Sequence, residues 1–367
     1  MPGQPEQQPF ARLLKTLSGF WAGFTQPSFL ALTLMAFMAT ATVAILVINV
    51  TPTKLAGPLG AYLPTQFDNA EGFATRDALR LALNDTAPPD QPRIYIPGNS
   101  IIAQAFASDV ALKRDLDARI GKDWDVVMMT TPIQGPLDEA TLLDYATRNH
   151  PGIVVISIST DRLSSDVRHH LEYYRYGRIG FRSEIADEMV EKYLGVRPRR
   201  ETGIFLLDNR FFYLRNASIS ALRYATGRPA ERKIDHYLIP QTPESLKVFK
   251  TEILGNIRSN HRPGKIAVDM LAHTSEFLRA RGNKIIFFNM PISDEVLDDP
   301  ADRRRYAIAM KEAEKLAGQL GGHYCGVKPE QAPPPSAYLD YYHIDDPAWQ
   351  ERMRLRLTEC VAEVVQG

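Results

Sequence analysis

A serine that could act as a nucleophile stands at position 100, directly after a run that is typical of a β-strand. The run 93–96 is rich in β-branched and aromatic residues, and a Pro-Gly pair ends it before a segment that can form a helix as far as Phe106. A serine at such a turn presents its hydroxyl beside the first backbone N–H groups of the helix, which can stabilise an oxyanion. The alternative is that Ser100 only caps the helix, which is a common role of serine.

An aspartate and a histidine lie three residues apart near the C-terminus, at Asp340 and His343. Within one turn of the chain, the carboxylate can accept from one imidazole nitrogen while the other nitrogen faces a serine hydroxyl. Ser100, His343 and Asp340 could therefore supply the nucleophile, the general base and the orienting carboxylate of an acyl-transfer site.

The order of these residues resembles that of the SGNH (GDSL-like) hydrolase superfamily, over roughly residues 90 to 365. Gly98-Asn99-Ser100 stands where the family has its Gly-Asp-Ser block, and Asp340-x-x-His343 matches its last block. Neither motif is specific alone, so the resemblance depends on their order and separation. It implies a three-layer, flavodoxin-like α/β fold with a parallel sheet, in which Ser100, His343 and Asp340 are catalytic.

The resemblance also implies an oxyanion hole made by the backbone N–H groups of Ser100 and Gly135, the latter matching the glycine of the second block. The family supplies a third donor from an asparagine side chain, but Thr160 or Asp161 occupies that place here. A threonine hydroxyl can still donate a hydrogen bond, whereas an ionised aspartate cannot. We therefore expect the Thr160 hydroxyl to serve as the third donor. Loss of one oxyanion donor typically lowers the rate ~100- to 1000-fold, so the missing asparagine weakens the expectation of an efficient hydrolase.

Strand and helix patterns alternate along the rest of the chain. Such alternation predicts an α/β fold with a parallel sheet and helical crossovers. The predicted helices cover 103–119, 137–149, 265–281, 303–320 and 347–365, and the predicted strands after Ser100 cover 125–129, 152–158 and 284–289.

A helical insertion relative to a minimal member of the family is expected at about 164–265. Its aromatic and arginine side chains, which include Arg178, could bind sugar rings or acidic head groups, or could pack as a lid on the sheet. The neighbouring His169 and His170 have no third ligand at metal spacing.

The chain has two cysteines, Cys325 and Cys360. An oxidising compartment would permit a bridge between them, and two buried thiols are the alternative. The sequence has no zinc pattern, no phosphate-binding glycine loop and no dinucleotide fingerprint, so we predict neither a metal nor a cofactor.

The N-terminal region predicts a membrane anchor. A polar segment, 1–27, precedes a run without charges, 28–50, which as a helix would reach about 33 Å and cross a bilayer core. No convincing cleavage site follows, which favours an anchor over a cleaved signal peptide. We expect 51–92 to form a stalk that carries a short helix at about 76–83, and 93–367 to form the SGNH-like domain.

The predicted topology is a cytoplasmic N-terminus with the domain outside, in the periplasm of a bacterial inner membrane. Arg12 and Lys15 precede the run and only Lys54 closely follows it, so the orientation depends mainly on the resemblance. The formal net charge of +0 gives no electrostatic case for nucleic-acid binding.

Anchored members of the superfamily that modify envelope polymers, by D-alanyl transfer or polysaccharide O-acetylation, share this arrangement. The resemblance therefore implies an acyl-ester transferase or esterase that acts on an envelope polysaccharide, with a multi-pass membrane acyltransferase as a possible partner. The alternative is a non-catalytic scaffold that binds glycan or such an acyltransferase, which the departure at Thr160 and Asp161 would favour.

Overall fold

The computed structural model describes residues 27–56, 70–159, 162–163, 177–196, 201–215, 226, 242–259, 264–327 and 331–367. Within them the protein has an α/β fold built on one five-stranded parallel sheet. The strands are β1 (Arg93–Gly98), β2 (Asp125–Thr130), β3 (Ile153–Ser157), β4 (Lys284–Asn289) and β5 (His323–Gly326).

Twelve α-helices in the described ranges have both ends defined. They are α1 (Pro27–Asn49), α2 (Pro52–Ala56), α3 (Ala70–Leu83), α4 (Ser100–Phe106), α5 (Asp109–Ile120), α6 (Pro136–Ala146), α7 (Glu184–Leu194), α8 (Phe205–Asp208), α9 (Pro243–Ser259), α10 (Lys265–Ala280), α11 (Pro300–Gln319) and α12 (Pro347–Gln366).

The strands lie in the order β2-β1-β3-β4-β5, and every neighbouring pair is parallel. The order reverses direction at β1, which pairs with β2 on one side and β3 on the other. The register places Gly98 opposite Thr130 and Ser157 opposite Phe288, so the carboxyl ends of the strands form one edge. Ligands of open parallel sheets bind at such an edge, where the strand order reverses.

Successive side chains of the strands enter opposite cores because the side-chain period of a strand is two. Tyr95, Val154 and Phe287 face a cluster formed with α3, α6, α10 and α11, which we call the first core. Ile96 and Val155 face a second core formed with α4, α5 and α12. Helices thus cover both faces of the sheet, and the central strands β3 and β4 read as nearly continuous apolar runs.

The single helix predicted over 103–119 is wrong. The structure has α4 and α5 instead, separated at Ala107, where φ is 55° and the chain leaves the helical region. Ser108 then caps α5 by accepting from Ala111 N–H. The interruption keeps α4 short and packs both helices into the second core.

The stalk predicted over 51–92 is also too long. Helix α3 lies inside it, and Ala78 and Leu81 of that helix are completely buried in the first core. Val50, at the end of α1, packs against the same core. The globular unit therefore begins by Ala70, and the end of α1 lies directly on it.

Helix α1 is long and apolar enough to span a membrane, which agrees with the predicted span at 28–50. The window Phe29–Asn49 is 0% buried by the rest of the protein. Its length and composition are those of a membrane-spanning helix.

Cys325 of β5 and Cys360 of α12 form a disulfide, so the bridged alternative is confirmed. The two residues are 35 apart in sequence and both are fully buried in the second core. The bridge ties the edge strand of the sheet to the last helix, which directly follows the segment that carries Asp340 and His343.

We expect the double variant Cys325→Ala, Cys360→Ala to lose about 3 to 4 kcal/mol of unfolding free energy, because the bridge restricts the unfolded chain over a loop of this length. Urea unfolding followed by circular dichroism measures the loss. Reductant should destabilise the wild-type protein and leave the double variant unchanged. Equal stability of the oxidised wild type and the double variant would contradict this account.

Candidate active site

Ser100 is the first residue of α4, and the residue before it provides the helix cap. Asn99 has an extended backbone, and its Oδ1 accepts from the N–H of Ile101 at 3.1 Å. The alternative in which Ser100 merely caps the helix is therefore wrong. Because Asn99 fills that role, the Ser100 hydroxyl is available for other contacts.

The turn before Ser100 requires glycine at position 98. Gly98 has φ of +155°, and a Cβ added to it would lie 2.9 Å from Cβ of Ile102. Any side chain there would collide with the first turn of α4. The sharp turn brings Ser100 to the carboxyl edge of the sheet immediately after β1.

Asp340 and His343 lie in a loop that closes on itself ahead of α12. Tyr338 pairs with Ile344 in an antiparallel bridge, and Leu339 N–H donates to the carbonyl of His343 at 2.8 Å. These backbone contacts fix the three-residue spacing in a tight turn. The turn also contacts the segment after β4, because Ser293 N–H donates to the carbonyl of Tyr341.

The three predicted catalytic side chains form one continuous chain of contacts. Ser100 Oγ lies 2.9 Å from His343 Nε2, and His343 Nδ1 lies 2.7 Å from Asp340 Oδ2. With Nδ1–H donating to the carboxylate, Nε2 is the nitrogen left to accept from the serine hydroxyl. Residues 243 apart in sequence thus meet in the arrangement of a nucleophile, a base and an orienting acid.

The Asp340 carboxylate is buried and well satisfied. Its Oδ1 accepts from the N–H groups of Tyr342 at 2.7 Å and His343 at 2.8 Å, while Oδ2 faces the imidazole. Burial alone raises the pKa of this carboxyl, but the hydrogen bonds from His343 and the two backbone N–H groups outweigh it and hold the pKa below its usual range. Asp340 is therefore ionised at neutral pH and can orient His343.

The expected oxyanion donors are only partly in place. Within the described part of the chain, the N–H of Ser100 has no hydrogen-bond acceptor, as suits an oxyanion donor. The N–H of Gly135 instead donates to Oδ2 of Asp138 at 3.2 Å, where the Asp138 side chain reaches back to the residue that precedes α6. That contact competes with the predicted role of Gly135. Thr160 lies outside the described residues.

Gln134 joins the β2–α6 loop (131–135) to the turn between β1 and Ser100. Its Oε1 accepts from Gly98 N–H, and its Nε2 donates to the carbonyl of Met129 at 2.8 Å and to Oγ1 of Thr131 at 3.1 Å. Thr131 N–H donates in turn to the carbonyl of Gly98 at 2.9 Å. Sequence patterns missed Gln134, because a glutamine in a loop carries no local signal of these partners.

Arg178, from the segment predicted as an insertion, contacts the same loop. Its guanidinium donates to the carbonyls of Pro132 and Ile133, and lies 3.4 Å from carboxylate oxygens of both Glu71 and Asp138. Arg178 is only 4% exposed, so it packs inside the protein and is not placed to bind a glycan. His169 and His170 of the insertion lie outside the described residues.

Ile133 lies on this loop in a strained conformation. Its φ is 48°, in the left-handed region that β-branched residues rarely adopt, and its side chain is exposed. Such strain persists only where the surroundings impose it. The hydrogen bonds from Arg178 to this loop and the contacts of Gln134 provide that constraint.

Among the described residues, His323, Cys360 and Glu363 lie close enough together to suggest a metal site. The Cys360 sulfur is already bonded to Cys325, so it cannot ligate a metal as a thiolate. The remaining histidine and glutamate, 2.9 Å apart, form an ordinary surface pair.

A comparison of the sequence with protein-family models finds no match, and a search of curated proteins finds none either. The functional interpretation of this chain therefore rests on the contacts of Ser100, His343 and Asp340 and on the fold that brings them together.

We expect Ile133→Asn to raise the unfolding free energy by about 1 kcal/mol, because asparagine tolerates positive φ and the isoleucine strain is worth roughly 1 to 3 kcal/mol. Ile308→Asn is the matched control, since Ile308 is also exposed but lies within α11. The control should lose stability, because asparagine is a poorer helix former. Denaturant unfolding compares the two variants, and a loss in both would show that Ile133 is not strained.

Proposed function

We propose that the protein is a serine acyl-ester transferase or esterase of the SGNH type that acts on a cell-envelope polysaccharide. The observation that carries the proposal is the continuous contact from Ser100 Oγ through the His343 ring to Asp340. Groups in this order activate a hydroxyl for attack on an ester carbonyl.

The position of the triad in the fold supports the same proposal. The strand order β2-β1-β3-β4-β5 is that of flavodoxin-like sheets, as the resemblance implies. Ser100 follows the first strand at the point where the strand order reverses, and the Asp-His turn precedes the last helix. These positions support an SGNH-type arrangement of the two motifs, which is part of the proposal.

The first half of the proposed reaction acylates the serine. Ser100 Oγ bonds to the carbonyl carbon of the ester while its proton passes to His343 Nε2. The tetrahedral intermediate then breaks the bond to the leaving alcohol, which takes that proton from Nε2. Asp340 keeps Nδ1 protonated and stabilises the imidazolium that forms in between.

The second half transfers the acyl group to an acceptor hydroxyl. His343 Nε2 takes the proton of that hydroxyl as its oxygen bonds to the acyl carbon, and it returns the proton to Ser100 Oγ as the acyl–serine bond breaks. Water as the acceptor gives hydrolysis, and a sugar hydroxyl gives transfer. The same side chains serve both outcomes.

Charge on the oxyanion needs donors at the edge of the sheet. Of the two expected backbone donors, the N–H of Ser100 has no acceptor within the described part of the chain. We assign the second donor to Thr160, and Gly135 could join only when its N–H leaves Asp138. With a donor missing or engaged, turnover should be modest.

The envelope location is supported by two features of the chain. Helix α1 is long and apolar enough to span a membrane, and the Cys325–Cys360 disulfide is typical of proteins in oxidising compartments. We therefore place the catalytic domain in the periplasm of a bacterial inner membrane, with the N-terminus in the cytoplasm. A multi-pass membrane acyltransferase would be the natural supplier of acyl groups.

A second candidate function is a non-catalytic scaffold that binds glycan or the membrane acyltransferase. The observation that favours it is the Gly135 N–H, which is engaged by the buried Asp138 carboxylate. The scaffold needs no activated serine. The two candidates therefore differ in what happens when Ser100 is removed.

Under the enzyme proposal, Ser100→Ala and His343→Ala should each lower ester hydrolysis by at least about a thousandfold, because they remove the nucleophile and the base. The double variant should be hardly worse than either single one, since the side chains act as a unit. The measurements are release of acyl groups from a chromogenic ester by the purified protein and polymer-bound ester in complemented cells.

Ser336→Ala and His273→Ala are the matched controls, because Ser336 is exposed and His273 lies in α10, where its ring is 3.6 Å from the Glu188 carboxylate. Both should keep wild-type activity. Circular dichroism checks that every variant is folded. Wild-type activity of folded Ser100→Ala in both assays would refute the enzyme proposal and leave the scaffold.

A further inference from the structure

Among the described residues, two segments each expose several large apolar side chains. One is α1, and the other is the segment 205–215, which exposes Leu207 by 40%, Phe211 by 41% and Leu214 by 65%. The remaining exposed examples stand singly along the sequence, and scattered residues of that kind need no explanation. A cluster on one segment does need one.

These three residues lie on one side of the 205–215 segment. They are spaced by four and three positions, and the segment is helical at 205–208 and again at 210–215. Phe211 and Leu214 share a face of the second helical piece. Helical hydrogen bonds continue through the turn at Asn209, because its N–H donates to the carbonyl of Phe205 at 3.1 Å and its carbonyl accepts from Tyr213 N–H at 3.3 Å, so Leu207 lies on the same side. The segment therefore presents an apolar stripe to its surroundings.

The opposite side of the segment is firmly packed on the domain. Phe205 and Tyr213 pack against the first core, and Phe212 is only 1% exposed. The hydroxyl of Tyr213 donates to the carbonyl of Gly180 at 3.0 Å. Because the inner side is held in this way, the apolar stripe faces away from the first core.

The segment lies beside α1. Helix α8, at the start of the segment, contacts α1. Val50, at the end of α1, packs on the first core without an intervening spacer. If α1 crosses a bilayer, the bilayer surface must meet the domain where α1 leaves it, which is beside the 205–215 segment.

The charged residues of the segment suit the surface of a bilayer. Arg210 and Arg215 are both exposed. Each engages one guanidinium nitrogen within the protein, since Arg210 donates to the carbonyl of Leu207 at 2.8 Å and Arg215 lies 3.9 Å from Glu71, and the other nitrogens remain at the surface. The Arg210 guanidinium also lies 4.8 Å from the ring centroid of Phe211. Arginines that flank apolar side chains can reach phosphate groups while the apolar groups enter the acyl boundary. An apolar stripe with flanking arginines is the composition of a helix that lies in the interface plane.

We propose that the 205–215 segment is a second membrane contact, with Leu207, Phe211 and Leu214 inserted into the headgroup and acyl boundary beside α1. It holds the domain in one orientation on the bilayer. The inference goes beyond the proposed enzymatic function and depends on α1 as the anchor, not on the chemistry of Ser100.

Fluorescence of a labelled cysteine in the full chain tests this contact. Both native cysteines are bridged, so Leu214→Cys supplies the reactive thiol for an environment-sensitive dye. The labelled protein is reconstituted in phosphatidylcholine vesicles containing a quarter phosphatidylglycerol. Nitroxide-bearing lipids should quench this label about threefold or more above the control label, and its emission should shift to the blue.

Val110→Cys is the control, because Val110 is equally apolar and 74% exposed but lies on α5, which packs on the opposite face of the sheet. Met38→Cys in α1 reports insertion of the anchor. Quenching at 38 without quenching at 214 overturns the proposal, and so does quenching at neither position. Ester hydrolysis by the same vesicles tests the enzymatic function separately, because neither label touches the triad.

Discussion

The site depends on how the chain turns between β1 and α4. Asn99 caps the helix through its own side chain, so Ser100 becomes the first helical residue and its hydroxyl is left for His343. Gly98 makes the turn possible because a larger residue would collide with Ile102. The Asn99 cap and the Gly98 turn together hold the Ser100 hydroxyl at the carboxyl edge of the parallel sheet.

Two distant parts of the chain complete the site around that turn. The Asp-His turn arrives from the C-terminal side, where the disulfide ties α12 to the sheet and the Tyr338–Ile344 bridge closes the turn. The β2–α6 loop lies next to the turn on the β2 side, where Gln134 accepts from Gly98 N–H and Arg178 donates to the carbonyl of Pro132. Arg178 lies in the segment predicted as an insertion, so this part of the chain supports the loop beside the site.

Sequence patterns predicted the parts of the fold that local periodicity determines. The strand at 284–289 and the closing helix from Pro347 were placed correctly, because buried runs and helix starts are local signals. The order of Ser100, Asp340 and His343 predicted the triad through a resemblance. Long-range contacts carry no such signal. The short edge strand β5 was missed for this reason, as was the burial of Arg178.

Reaction of the protein with a fluorophosphonate probe tests the central claim most directly, because the probe bonds to a serine only when a base activates it. The site of labelling is located by mass spectrometry of the proteolysed protein. We predict that the probe labels Ser100 and that His343→Ala prevents the labelling, since Nε2 of His343 is 2.9 Å from the hydroxyl. Absence of label at Ser100 in the folded wild-type protein would contradict the account.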